Sequence, residues 1–295
     1  MKKIIFITVI IFTVFFACKK ESKIIEETIT AGNATVYVDE TLLPIIEEQQ
    51  MVFESVYKQA KLKLVAKPET ELTNLLQKLD ARILILPREL TSDEKISLEK
   101  RNYRGKITPI ATDAIAVIVN STETQQEITT EEVFKLLKEN KSVKQLVFDN
   151  ANSSTLNYLK RQAGIKNIQN SNITALKNNN EVITFVSENK NCIGFVGVNW
   201  LTNVSIEMED KLKNVKVLAV GNSNKKAVKP TQSSISEGDY PFTRNVFLLN
   251  YQGKAGLGMG FASFIAGDVG QRIILKSGLV PYVIPTREIK TRKKI

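Results

Sequence analysis

Three carboxylates follow strand-like runs, and they are the residues of this sequence that could take part in the most kinds of chemistry. Asp39 and Glu40 follow the apolar run Val36–Val38, and Asp149 follows the run Gln145–Phe148. Such carboxylates can form a general acid/base pair or hold a divalent cation. However, the sequence contains no histidine, which removes the usual general base, the commonest metal ligand and the histidine-dependent nucleophiles. A hydrolytic enzyme is therefore disfavoured, and no cofactor or metal is expected.

Hydroxyl side chains mark a second candidate position. Ser153, Ser154 and Thr155 come where a helix is expected to begin after a strand. Serine and threonine cap helices in all classes of protein, so the triplet alone predicts an N-terminal helix cap. A role in ligand binding needs support from the rest of the chain.

The N-terminus predicts export. Two lysines precede the apolar run Ile4–Phe16, and a small residue then stands before Cys18. This order is typical of a secretory signal and resembles a lipobox, so residues 1–17 are expected to be cleaved and Cys18 to be lipidated. Residues 18–27 would form a tether. An uncleaved anchor, or an ordinary signal with an incidental cysteine, is the alternative.

Cysteine content and charge set further limits. After lipidation only Cys192 remains, so an intramolecular disulfide is not expected and this thiol is predicted to be a small buried residue. The formal net charge is +10, but much of it lies in the signal and in the tail from Arg287 to Ile295. Charges of both signs alternate elsewhere, which argues against nucleic-acid binding and predicts a solvated tail.

The elements that must position these residues alternate between strand and helix, which predicts parallel sheets flanked by helices. Thr91 with Glu94, and Thr129 with Glu132, predict capping boxes. Gly256–Lys276 is expected to be an amphipathic helix interrupted by glycines, and Asn222–Tyr240 is expected to interrupt the alternation. The other predicted elements are strands over 36–38, 61–67, 83–86, 115–119, 145–148, 193–196, 215–220 and 246–249, and helices over 42–56, 72–79, 153–161 and 181–188.

An ordered set of strings resembles the periplasmic phosphate-binding protein family of ABC importers, in particular its Bacteroidetes lipoprotein branch. The strings are VDETLLPII from Val38, PRELT from Pro87, IATDAIAVIVN from Ile110, VFDNANSST from Val147, IGFVGVNW from Ile193, YPFTR from Tyr240, GFASF from Gly260 and GQRII from Gly270. No single string is specific, but their order and spacing cover almost the whole mature chain.

The resemblance implies a two-lobed α/β fold of the periplasmic-binding-protein type, with two hinge crossings. It implies one lobe over residues 28–113 and 240–295 and a second over 114–239. The ligand would lie between the lobes, where helix N-termini and hydroxyl groups can hold an anion. On the matching positions, the implied ligand residues are Glu40, Thr41, Arg88, Ser153, Ser154, Thr155 and Arg244, with Asp113 as a hinge or ligand residue.

The sequence departs from the family at acidic positions. Asp149 stands where well-characterised relatives have an arginine, and Asp39 and Glu40 replace small residues of the first loop. One carboxylate can accept the proton of a monoanionic phosphate, whereas several would repel a dianion. The ligand is thus expected to be phosphate or another oxyanion, and a larger ligand stays open.

The main hypothesis is a monomeric extracytoplasmic lipoprotein, facing the periplasm or the cell surface, that delivers an oxyanion to an ABC permease of the inner membrane. The alternative hypothesis is a lipoprotein that uses the same fold for protein interaction or sensing. The altered loop residues and the basic tail motivate this second hypothesis. For Arg88, a surface ion pair is the alternative to ligand binding.

Overall fold

The computed structural model describes residues 27–139, 144–166, 168, 172–202 and 204–286. The predicted signal peptide, Cys18 and the tail from Arg287 to Ile295 lie outside the described residues, so their roles stay predictions. A search of the described ranges finds no helix long and apolar enough to cross a membrane.

Strands and helices alternate along most of the chain. The strands are β1 Gly32–Asp39, β2 Ala60–Lys67, β3 Ile83–Leu86, β4 Lys106–Asn120, β5 Glu127–Thr129, β6 Gln145–Phe148, β7 Ile173–Ala175, β8 Cys192–Gly197, β9 Val215–Val217, β10 Ala219–Asn222, β11 Lys225–Val228, β12 Thr243–Asn250 and β13 Val280–Pro281. The α-helices are α1 Leu43–Val56, α2 Glu69–Gln77, α3 Ser92–Glu99, α4 Thr130–Lys138, α5 Ser154–Ala163, α6 Asn179–Glu188, α7 Ile206–Lys213, α8 Gln232–Ser236, α9 Leu257–Ala266 and α10 Asp268–Lys276, with short 3-10 turns over Glu40–Leu42 and Val198–Leu201.

Two parallel units are joined by antiparallel strands. The main sheet runs in the order β2-β1-β3-β12-β4-β8-β6-β7, while β5, β10 and β11 form a small separate sheet. In one lobe β1 pairs in parallel with β2 and β3, and in the other β6 pairs in parallel with β7 and β8. Strand β12 runs antiparallel to β3 and β4. The two-lobed α/β fold predicted from the sequence is confirmed.

The long strand β4 passes from one lobe to the other. It pairs with β12 as far as Ala114, and from Ile115 it pairs with β8. Where β4 pairs with β12, Asp113 lies opposite Arg244, at the beginning of β12. The chain therefore leaves one lobe along β4 and returns where β12 begins, which places this acidic and this basic residue between the lobes.

Apolar runs and local caps account for much of this architecture. Strands β3 and β8 are buried along their whole length, as expected for strands covered by helices on both faces. Thr91 with Glu94 and Thr129 with Glu132 form the reciprocal hydrogen bonds of capping boxes. Both capping-box predictions are confirmed because such signals act within one turn of a helix.

The Gly-interrupted amphipathic helix predicted over Gly256–Lys276 is divided into two helices, α9 and α10. The backbone turns to an extended conformation at Gly267, between α9 and α10. At Gly270 a Cβ would lie 2.5 Å from backbone atoms of Ile265, so the corner between the two helices needs a residue without a side chain. The amphipathic pattern continues through the corner because each helix buries one face.

The segment Asn222–Tyr240 is more regular than its polar sequence predicts. It contains strand β11, which forms a hairpin with β10, and helix α8. Thr231 caps α8 through the backbone N–H of Ser234. The hairpin is only partly buried, and β11 lacks the apolar run that predicts a central strand.

Candidate functional site

Polar side chains from both lobes meet where the central strands end. Asp39 is the last residue of β1, Ser154 is the first residue of α5 in the other lobe, and Arg244 lies at the start of β12. With Thr41 and Asp113 they form a group that we call the central cluster, and no member is more than 4% exposed. Because parallel strands in both lobes end at this interface, distant parts of the chain converge there.

Arg244 links the members of the central cluster. Its Nε donates to Asp113 Oδ2 at 2.9 Å, its Nη1 donates to Ser154 Oγ at 2.9 Å, and its Nη2 donates to Thr41 Oγ1 at 3.2 Å. Burial opposes the charge of Arg244, but Asp113 and Asp39 outweigh that effect, so its pKa is raised above the ordinary value. The guanidinium is therefore a fixed positive charge shared by both lobes.

Asp39 accepts the hydroxyl protons of the central cluster. Its Oδ1 accepts from Thr41 N at 3.1 Å, from Thr41 Oγ1 at 2.5 Å and from Ser154 Oγ at 2.9 Å. Each hydroxyl has one proton, so Thr41 and Ser154 can donate to Asp39 and accept from Arg244 at the same time. Asp39 and Ser154 belong to different lobes, and their hydrogen bond holds the lobes together.

The short turn after β8 fixes the first loop from the opposite lobe. Asn199 Nδ2 and Trp200 Nε1 both donate to the carbonyl oxygen of Thr41, at 3.1 and 2.8 Å. Both residues lie in the family string IGFVGVNW, but they are not among the ligand residues that the resemblance implies. The available signal was a polar residue, Asn199, placed two residues after the end of the apolar strand β8.

The hydroxyl triplet divides into different roles. Ser153 Oγ accepts from Leu156 N at 3.2 Å, so it caps α5 as its local sequence predicts. Ser154 faces the other lobe and belongs to the central cluster. The hydroxyl of Thr155 is buried and has no hydrogen-bond partner among the described residues. Ligand contact by Ser153 and Thr155 stays a prediction.

Acceptor atoms exceed donors around the cluster. Five buried carboxyl or amide oxygens in or beside the cluster have no partner within the described part of the chain: Asp39 Oδ2, Glu40 Oε1, Asp113 Oδ1, Asp149 Oδ1 and Asn199 Oδ1. Burial raises the pKa of Asp39 to about 7 against the opposing effect of Arg244. Burial, then Asp149 and Asp39, raise the pKa of Glu40 to about 8. The group can therefore hold protons near neutral pH.

Asp113 and Asp149 share this environment. Burial raises the pKa of Asp113, although its contact with Arg244 acts in the opposite direction. Burial also raises the pKa of Asp149, against a hydrogen bond from Ser153. Asn179 Nδ2 lies 3.4 Å from the second oxygen of Asp149. No set of three or more described acidic or cysteine side chains has an arrangement that could hold a metal ion.

Arg88 is not brought to the central cluster. Its Nε donates to Glu69 Oε1 at 3.0 Å, and its two terminal nitrogens donate to Glu94 at 2.8 and 2.9 Å. Arg161, from the other lobe, also donates to Glu69 Oε1 at 2.9 Å. These four residues form what we call the rim network. For Arg88 the structure favours the ion-pair alternative over the predicted ligand role, because its donors are directed at two carboxylates.

Sequence comparisons identify the family of this chain. The family model of the PBP superfamily domain matches residues 26–269. The chain belongs to this superfamily. It is 25% identical over 230 residues to protein SphX of Synechococcus elongatus, covering 70% of this chain and 66% of that protein, which is just under two thirds. It is 22% identical over 281 residues to the phosphate-binding protein PstS of Pseudomonas aeruginosa, covering 85% of this chain and 83% of that protein.

Solved structures extend the comparison to the fold. An ABC-type phosphate transport receptor from Vibrio cholerae superposes with a TM-score of 0.66 at 19% identity, covering 85% of this chain and 100% of that chain. At this identity the likeness concerns the PBP fold alone. The central cluster of the PBP domain lies between the two lobes of that fold, and it contains Thr41, Ser154, Arg244 and Asp113 of the residues that the sequence singled out.

Proposed function

We propose that this PBP domain is an extracytoplasmic solute-binding protein that captures inorganic phosphate, or a related oxyanion, between its lobes for an ABC importer. The observation that carries the proposal is the convergence of Arg244, Thr41 and Ser154 from both lobes on one buried point. Tetrahedral oxyanions accept hydrogen bonds from groups of this kind, hydroxyls and a guanidinium. The names of the relatives, phosphate-binding protein and phosphate transport receptor, support the same ligand.

Capture and release follow from the two-lobed geometry. A ligand that bonds to Thr41 on one lobe and to Ser154 on the other gains all of its contacts only when the lobes are closed. The closed form would then dock on a permease of the inner membrane. Lipidation at Cys18 would hold the domain at the membrane, as the N-terminal sequence predicts.

Calorimetric titration tests the proposal. The soluble domain beginning after Cys18 is unfolded, refolded to remove carried-over ligand, and titrated with phosphate at neutral pH. We expect one-site binding that is weakened by Ser154→Ala and by Arg244→Ala. Absence of heat with phosphate, sulfate and related oxyanions would refute the proposal and leave the fold.

A second candidate function is a protein-interaction or sensing module. The observation that favours it is that the donors of the central cluster already bond to protein carboxylates, Asp39 and Asp113. A neighbouring permease and ATPase in the operon would favour the importer, whereas a position beside surface or secretion genes would favour the interaction module.

A further inference from the structure

The donors of the central cluster converge on one protein oxygen. Asp39 Oδ1 receives three hydrogen bonds, two from Thr41 and one from Ser154, at 2.5 to 3.1 Å. An oxyanion oxygen would accept hydrogen bonds from the same kinds of donor, backbone N–H and hydroxyl groups at the start of a helix. The carboxylate therefore has the coordination expected of a bound anion.

The charges around Arg244 also indicate that Asp39 and a bound oxyanion exclude each other. Arg244 is the nearest guanidinium, and Asp113 already bonds to its Nε. Asp39, Asp113 and Asp149 interact electrostatically with Arg244, and Glu40 interacts with Asp39 and Asp149. An oxyanion added beside an ionised Asp39 would meet like charge in a buried site, where such repulsion is strong. It can bond to Thr41 and Ser154 only after Asp39 has left them.

Asp39 is also well placed to compete with an oxyanion for the hydrogen bonds of Thr41 and Ser154. It lies two residues before Thr41, so it stays beside these donors at a high effective concentration. Its second oxygen, Oδ2, has no partner among the described residues, so the carboxylate is only half satisfied in this position. A competitor of this kind holds the donors without binding them irreversibly.

We propose that Asp39 is an internal competitor for the oxyanion, because its carboxylate takes the hydrogen bonds of Thr41 and Ser154 that the ligand needs. The proposal rests on the proposed function, since the ligand is taken to be an oxyanion at this cluster. Asp39 then sets the affinity of the domain, and its bond to Ser154 closes the lobes without ligand. Each oxyanion that binds must displace the Asp39 carboxyl group from these donors.

The test compares phosphate binding by the wild-type domain and by Asp39→Ser, which replaces the carboxylate with a small hydroxyl group. We expect the dissociation constant for inorganic phosphate to fall at least about tenfold, which corresponds to an internally closed state populated about nine times in ten. Small-angle scattering without phosphate should show a larger radius of gyration for Asp39→Ser than for the wild-type domain. Added phosphate should reduce that radius.

Matched variants separate competition from charge. Asp149→Asn removes a neighbouring buried carboxylate but leaves the bonds of Asp39 in place, so its gain in affinity should be smaller than that of Asp39→Ser. Asp210→Asn removes an exposed carboxylate paired with Lys213 and should leave phosphate binding unchanged. If Asp39→Ser does not fold, Asp39→Asn keeps the shape of the side chain, and its affinity should still exceed that of Asp149→Asn.

The outcomes distinguish the inference from the proposed function. Equal or weaker phosphate binding by Asp39→Ser, with the wild-type domain binding phosphate, overturns the inference and leaves the receptor function. Binding by Asp39→Ser but not by the wild-type domain supports the inference and overturns the receptor function of the natural protein. If neither protein binds phosphate or sulfate, both are overturned.

Discussion

Two polar networks join the lobes, and they differ in how completely they are buried. In the central cluster, Arg244 and Asp113 have side chains that are 2% and 0% exposed. In the rim network, Arg161 is 41% exposed although it bonds to the buried Glu69. Water can screen and replace the partner of Arg161 at the exposed end of the rim network, whereas Arg244 and Asp113 are closed to it. Ionic contacts of similar length thus have different consequences, and the central ones are expected to govern ligand binding.

Loss of Arg244 should have the largest effect. Arg244→Ala leaves Asp113 and Asp39 as buried carboxylates without their cation, which should reduce the free energy of unfolding by about 3–5 kcal/mol and abolish phosphate binding. Urea unfolding and calorimetry measure the two effects. The double variant Arg244→Ala/Asp113→Ala should recover part of the stability. A single variant as stable as the wild-type domain would contradict the view that the central charges depend on each other.

Two adjacent serines offer the next comparison. Ser154→Ala removes an interlobe donor to Asp39 and should reduce the free energy of unfolding by about 1–3 kcal/mol and phosphate affinity by about tenfold. Ser153→Ala removes the cap of α5, which should reduce stability by about 1 kcal/mol and change phosphate affinity much less. Chemical unfolding and titration of both variants measure this difference. Equal losses of phosphate affinity would show that Ser153 also contacts the ligand.

The pH dependence of stability should come from the centre. The pKa of Asp39 is raised from 3.8 to about 7, so between these values the folded domain holds a proton that the unfolded chain has lost. The free energy of unfolding should therefore fall as pH rises from about 5 to about 8, by up to about 1.4 kcal/mol per pH unit for this group. Glu40 also contributes to this fall in the free energy of unfolding, but its contribution is smaller because the side chain is partly exposed.

The rim should not share this dependence. Burial acts against the charge of Glu94, but hydrogen bonds from Arg88 outweigh it and lower its pKa, so its contribution is complete above about 4.5 and is lost below its folded value. Urea midpoints at pH 5, 6, 7 and 8 measure the slope. Asp39→Asn should flatten it, and a wild-type stability that rises over this range would contradict the buried-carboxylate account.

Arg88 should give the smallest effect on binding. Arg88→Ala breaks contacts with Glu69 and Glu94 but leaves the central cluster intact, so phosphate affinity should change by less than about threefold, or about 0.7 kcal/mol. Arg161→Ala, at the exposed end of the rim, should reduce stability by about 0–1 kcal/mol, and by less at high salt. Calorimetry at two salt concentrations tests both variants. Loss of binding by Arg88→Ala alone would restore the ligand role that the family resemblance implies.

Local structure was predictable from the sequence. The capping boxes at Thr91 and Thr129, the buried strands β3 and β8, and the start of α5 at Ser154 follow from signals within a few residues. Such signals depend on backbone donors and side-chain periodicity inside one element. The two-lobed fold was also predicted, but from the order of family strings, because periodicity alone does not show that the chain returns to the first lobe.

Partner choice was decided by tertiary structure. The family resemblance implies a ligand role for both Arg88 and Arg244, with an ion pair as the alternative for Arg88. In the structure Arg88 bonds to Glu69 and Glu94, while Arg244 bonds to Asp113, Ser154 and Thr41. Asp39 and Ser154 are 115 positions apart in the chain. The sequence determines which groups can donate or accept. Only the packing of two lobes brings distant groups within hydrogen-bonding distance in a buried site, where unpaired charges are costly and each partner constrains the next.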